Sequence, residues 1–260
     1  MKNNIFLLIA ASIFILSFSS CDDLLDVTPK DKITPETFFS TESDLQAFST
    51  NFYNSLPKDR DLYKDDADNI THSTPNSAAT DSRTVPASGG GWEWGYLRRF
   101  NTLLQYSVNC KDKTVRTRYQ ALTRFFRAYF YFEMVKRFED VPWYDTELFV
   151  SETDQLNKPR DSRELVMKNI LEDLDFAITN LSTTPSVYTV TKWTALSLKS
   201  RVCLFEGTFR KYHNLNLSTN ADFFLQESIT ASRELMKESN YTLYTEGGTN
   251  QAYRKLFTSQ

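Results

Sequence analysis

The sequence predicts an all-α fold, an array of helices joined by long irregular loops. Three observations lead there. Only 7 glycines and 8 prolines occur in 260 residues, too few for the frequent tight turns of a sandwich or barrel. Apolar residues recur at helical spacing through most of the chain, giving each segment one apolar face. Capping residues and prolines stand where those segments begin and end.

The first element is not part of the fold. Lys2 precedes an apolar run from Ile5 to Phe18, and the small residues Ser19 and Ser20 stand against Cys21. A positive start, a short apolar stretch and a small-residue cleavage site make a secretory signal peptide. The run is about 14 residues, short of the roughly 20 that span a bilayer. A cysteine directly after the small pair points to a bacterial lipoprotein, cut before Cys21 and acylated there with palmitate-like chains. The alternative is an ordinary signal peptide that ends near a buried cysteine. Each buried methylene contributes about 0.8 kcal/mol, so several chains anchor the protein permanently. The chain thus divides into a signal peptide over 1–20 and one helical region over 21–260.

Within that region, Thr34-Pro35-Glu36 reads as an N-cap with proline at the first helical position. Thr41-Glu42-Ser43-Asp44 opens a helix bearing Leu45, Phe48, Phe52 and Leu56, stopped by Pro57. Residues 58–91 are polar and end in Gly89-Gly90-Gly91, a long irregular excursion of the kind that is often functional. Helix resumes near Trp94 and runs to about Cys110. A second, from roughly Val115 to Phe138, is aromatic on nearly every face, which demands neighbours on several sides. Asp161-Ser162-Arg163-Glu164 reads as a capping box for a helix carrying Leu165, Ile170, Leu174, Ala177, Ile178 and Leu181. Thr191 caps another, with Ala195, Leu198, Val202, Phe205 and Phe209 on one face. A further helix carries Leu225, Ile229, Leu235 and Met236. Antiparallel pairs of about this length suggest a tetratricopeptide-like stack, although the strict repeat signature is absent.

Charge and cysteine usage narrow the function. Residues 1–20 hold one base, Lys2, and no acid, so their removal takes the formal charge from −3 to −4. A mild negative balance argues against a nucleic-acid partner. Cys110 and Cys203 fall in apolar helical runs, where a buried thiol is expected rather than a disulfide scaffold.

Five short motifs, in order, carry a resemblance. They are Cys21-Asp22-Asp23-Leu24-Leu25-Asp26-Val27-Thr28-Pro29; Tyr96-Leu97-Arg98-Arg99-Phe100-Asn101; and Phe126-Arg127-Ala128-Tyr129-Phe130-Tyr131-Phe132 with Asp140-Val141-Pro142. Arg160-Asp161-Ser162 with Ile170, Asp173-Leu174 and Ala177 follows, then Thr191 to Ala195 with Arg201 to Thr208. The series resembles the SusD-like (RagB-type) outer-membrane nutrient-binding lipoproteins across residues 21–257. The resemblance implies a SusD-like helical fold in a lipid-anchored protein of the outer membrane, facing the exterior of a Gram-negative cell. It also implies capture of oligosaccharide, or of peptide, for delivery to a SusC-like TonB-dependent transporter.

Two departures stand out. Glu139 replaces the glycine usual at that helix end, implying a different or strained exit. Family members are also about twice this length, and Tyr253 to Gln260 reads as the middle of a block. The chain is therefore expected to be a fragment lacking part of the ligand site, with Tyr253, Leu256 and Phe257 as an exposed edge.

A sugar binder needs apolar faces for pyranose rings beside planar polar groups for hydroxyls. Gly89-Gly90-Gly91-Trp92-Glu93-Trp94 is the best local candidate, because Trp92 and Trp94 face one way in an extended segment. Arg83 and Asp81 would supply hydrogen bonds, with Tyr96 nearby. The alternative packs Trp94 into the core as the first turn of the helix. No enzyme and no cofactor is indicated. His72 and His213 lack metal-ligand spacing, and no nucleophile elbow or phosphate loop occurs. Asp65, Asp66 and Asp68 lack the Gly and Glu of an EF-hand loop. A helical scaffold that mainly binds a protein partner remains the second reading.

Overall fold

The computed structural model describes residues 35–58, 80–239 and 241–258. Cys21 and the signal segment, Asp22, Asp23, Thr34, Asp65, Asp66, Asp68 and His72 lie outside the described residues. Among the described residues every regular element is a helix, and one isolated antiparallel bridge joins Val141 to Asp161. No helix among them is long and apolar enough to cross a membrane.

Helix α1 (Pro35–Phe38) leads into α2 (Glu42–Thr50). Thr41 and Asp44 cap α2 reciprocally: the Asp44 N–H donates to Thr41 Oγ1 (3.2 Å) and the Thr41 N–H to Asp44 Oδ2 (2.8 Å). The expected continuation to Leu56 tightens into a 3₁₀ turn over Asn51–Ser55. Pro57 forces Leu56 out of the helical region, to ψ 155°. Helix α3 (Gly95–Tyr106) likewise ends in a 3₁₀ turn, Ser107–Asn109, so Cys110 lies just beyond the helix.

The aromatic helix is α4 (Lys113–Phe138). It begins two residues before the expected start because Asp112 Oδ1 accepts from the N–H groups of Thr114 (2.8 Å) and Val115 (3.0 Å). Its all-round apolarity is used as anticipated. Phe126 meets Phe52 and Phe100 on the α2–α3 side, while the other side packs against α6 (Arg163–Asn180). Glu139 ends α4 at φ +65°, ψ −102°, the strained exit that the missing glycine implied.

Residues 139–162 then leave the array as a strap containing one short helix, α5 (Thr153–Leu156). The capping expectation for α6 needs correction: Ser162 is the N-cap, its Oγ accepting from the Leu165 N–H (3.3 Å). Asp161 and Glu164 serve contacts far along the chain instead.

Helix α7 (Lys192–Tyr212) starts at Thr191 as expected, and α8 (Ala221–Glu238) at Asn220. Helices α4, α6, α7 and α8 pack in chain order, forming the expected tetratricopeptide-like array. The α7–α8 contact is close: a Cβ on Gly207 would meet Leu225 at 2.8 Å. The fully buried residues of α8 are Phe224, Ser228 and Ala231; of the expected residues Leu225 and Leu235 are half-buried and packed, while Ile229 and Met236 face solvent. The final helix, α9 (Ala252–Thr258), exposes Tyr253, Leu256 and Phe257. Cys110 and Cys203 are buried free thiols, and burial pushes Cys203 up to about 12.

Candidate functional site

The strap does not pack flat on the array. Between it and the start of α3 lies an open cavity of about 630 Å³, whose walls include Trp92, Trp94, Tyr144, Phe149, Lys158 and Arg160. The approach to it is set by glycine. Gly89, Gly90 and Gly91 have φ of +74°, +68° and +86°, where a side chain is strained. Gly91 also presses on Arg137, whose guanidinium carbon lies 2.9 Å from where a Cβ would be.

Trp92 and Trp94 are brought together, but not as one flat surface. Their rings are 5.1 Å apart at 78°, edge to face, so they form a corner. Trp94 is the N-cap residue of α3, and Phe130, Tyr131 and Tyr144 surround it edge-on, close to the core-packed alternative. Trp92 leans on Phe138 (4.9 Å, 87°) and carries the Arg160 guanidinium 4.9 Å from its ring centre.

A chain of buried polar groups holds the strap in place. Asp173 on α6 receives Arg127 of α4 in a fork, Nε at 2.6 Å and Nη2 at 2.8 Å. Arg127 Nη1 donates to Asn101 Oδ1 (3.3 Å), and Asn101 Nδ2 donates to the carbonyls of Tyr144 and Thr146, both at 2.9 Å. Tyr131 adds to this from beneath: its hydroxyl accepts the Tyr144 N–H (2.6 Å), and its ring stacks on Trp143 (4.2 Å, 26°).

At the far end of the strap, Asp161 Oδ2 accepts from the Trp143 N–H (2.7 Å) and the Lys158 ammonium (2.8 Å). Burial works against that carboxylate, but Lys158 and the Trp143 N–H outweigh it and hold its pKa below the ordinary value. Burial, with Asp161 adding, raises Tyr144, so its hydroxyl keeps its proton and donates to the Gln155 carbonyl (3.1 Å). Arg98 on the cavity wall pairs with Glu147 (3.1 Å). The arrangement can hold a ligand with apolar or ring faces against aromatic walls, beside cationic donors. Among the described residues, no three His, Cys, Asp or Glu side chains converge on a metal position.

The other expected site residues lie elsewhere. Tyr96 is half-buried, stacked on Phe100 (6.3 Å, 25°) under Arg99, and is not part of the cavity wall. Asp81 and Arg83 are exposed in the segment before the glycines, also off the wall. Sequence reasoning missed Arg98, Tyr144, Lys158 and Arg160 as site residues. Pro142-Trp143-Tyr144 carried the available signal, an aromatic pair placed straight after a helix end.

Comparison with known proteins comes to the same fold. A family model for SusD-like proteins, described as starch-binding and associating with the outer membrane, matches residues 23–204. SusD-like protein P38 of Formosa agariphila is 26% identical over 232 residues, covering 85% of this chain and 46% of that one. A SusD-like protein of Bacteroides fragilis superposes with a TM-score of 0.65 at 24% identity, covering 88% of this chain and 44% of that one. A SusD-like carbohydrate binding protein of the same species gives 0.58 at 18%, covering 81% and 44%. The chain spans about half the length of the curated relatives it matches.

Proposed function

Since the chain belongs to the SusD-like family, we propose that it is a glycan-capturing lipoprotein of the outer membrane. Acylation of Cys21 anchors it at the cell surface, where it hands oligosaccharide to a SusC-like TonB-dependent transporter. It binds and does not catalyse. The family's description as starch-binding supports the ligand class. The observation that carries the reading is the cavity beside Trp92. It has about 630 Å³ of room, an indole wall, and a strap held by residues of three of the resembling motifs, Asn101, Arg127 and Asp173.

The test is titration with a library of oligosaccharides, parent against Trp92→Ala and Trp94→Ala. A stacked aromatic contributes on the order of 1 kcal/mol beyond its buried area, about fivefold in affinity. Trp92→Ala should lose that much binding and keep most of its melting temperature. Trp94→Ala, set among Phe130, Tyr131 and Tyr144, should lose binding together with roughly 2–4 kcal/mol of stability. Full binding in both variants would remove the cavity from the ligand site. A scaffold that binds a protein is the second reading, favoured by the exposed Met236, Tyr253 and Phe257.

A further inference from the structure

We infer that the ligand of this cavity is an acidic glycan, a uronate-containing oligosaccharide whose carboxylate sits on Arg160 while a sugar ring rests against Trp92. This rests on the glycan-capture reading and names the substrate class of the same site.

The argument starts from which polar groups at the cavity are already engaged. Asn101 spends its amide on two strap carbonyls and its oxygen on Arg127. Glu147 is largely buried and tied to Arg98, and Asp161 is tied to Lys158 and the Trp143 N–H. No Asp or Glu is among the described residues that line the cavity, and its one side-chain amide is committed within the protein, so the wall offers a neutral sugar no free carboxylate or amide acceptor.

Arg160 is different. It lines the cavity and is exposed, and among the described residues it forms no ion pair. Its one hydrogen bond, from Nη1 to the Phe138 carbonyl, is long at 3.4 Å. A guanidinium has five donors, so most of its capacity faces outward. Arg137 stands beside the same aromatic pair, 5.6 Å from the Phe138 ring centre and against Gly91, and it too forms no ion pair among the described residues. Two cations thus flank Trp92 and Phe138.

A guanidinium fork matches a planar carboxylate, and one laid over an indole face is already oriented for it. Desolvating such a cation without an anion is unfavourable, so a neutral ligand filling the cavity gains less than an acidic one.

The experiment is calorimetric titration of the whole chain with a panel of uronate oligosaccharides: oligogalacturonate, oligoalginate and glucuronoxylan fragments. Each is run against its own methyl ester, which keeps the sugar and removes the charge. Neutral and sulfated oligosaccharides complete the set. At least one uronate should bind about tenfold or more above its ester, the size of one charge-assisted contact. Arg160→Gln should erase that difference at unchanged melting temperature, and Arg160→Lys should restore part of it. Equal binding of acid and ester, a sulfated ligand preferred to the uronates, or an unaffected Arg160→Gln variant overturns the proposal. Binding confined to neutral oligosaccharides overturns it while leaving glycan capture standing. Absence of binding by any glycan removes both.

Discussion

Helix α6 meets its two neighbours through the same kind of bond. On the α4 side its Asp173 receives the Arg127 fork; on the α7 side its Arg163 gives a fork to Glu206, with contacts of 2.6–3.0 Å. Both pairs are buried. They differ in where they lead. Arg127 passes on to Asn101 and thence to the strap carbonyls that wall the cavity. Glu206 passes to Arg210 (2.7 Å), which turns back to Glu164 (3.0 Å) without leaving the array. A buried ion pair is weak evidence of net stabilisation, since desolvation offsets much of its attraction. Its continuation shows what it is for: one network positions a site, the other holds two helices, α6 and α7, in register.

The largest expected effect tests the inward network. Glu206→Ala leaves Arg163 and Arg210 buried without their shared carboxylate, and Arg210 already has one unsatisfied nitrogen, Nη2. Removing one partner of such a set costs about 3–5 kcal/mol. Denaturant unfolding should show this loss, while ligand affinity per folded molecule stays at the parent value. An affinity that falls in step with stability breaks the comparison, because both networks would then serve the cavity.

The outward network should respond the other way. Asn101→Ala removes the bonds to the Tyr144 and Thr146 carbonyls and leaves Arg127 Nη1 without its acceptor. The stability cost should be smaller, about 1–3 kcal/mol. Loosening of the strap should lower ligand affinity by about tenfold, since a wall that must be ordered on binding adds that cost. A variant that binds like the parent would make Asn101 only a core residue.

Much of this was legible in the sequence because it is local. Thr41 and Thr191 cap within a few residues of themselves, and the apolar spacing of each helix is visible along its own segment, so spacing alone located the helices and predicted an array. The cavity is not local. Its two walls, Trp92–Trp94 and Tyr144–Arg160, lie some fifty residues apart and are brought together by contacts across the fold, among them Asn101 to the Tyr144 and Thr146 carbonyls and Tyr131 to the Tyr144 N–H. Asp161 shows the limit well. Its position before Ser162 suggested a cap, yet its carboxylate turns to Trp143, and Glu164 turns to Thr219 and Arg210. On α8 the apolar positions divide in a way that spacing does not show: Leu225 packs against Gly207 of α7, while Ile229 and Met236 are exposed.

The smallest effect separates the strap's latch from both arginine networks by pH. Asp161 holds Lys158 and the Trp143 N–H. Burial resists its ionisation, but those two partners prevail and its pKa lies below the ordinary value. A carboxylate depressed in the folded state adds stability above its unfolded pKa of about 3.9 and loses it as pH falls through the lower folded value. The latch is therefore fully closed at neutral pH and opens only in acid. Its side chain is 24% exposed, so the contribution is below about 1 kcal/mol. Comparing the parent with Asp161→Asn, which keeps an acceptor for the Trp143 N–H but loses the charge, isolates it. The stability difference should be constant from about pH 8 to pH 5, begin to fall only near the unfolded value of about 3.9, and vanish as pH drops through the lower folded value. A difference that vanishes near neutrality would show that another titrating group holds the strap.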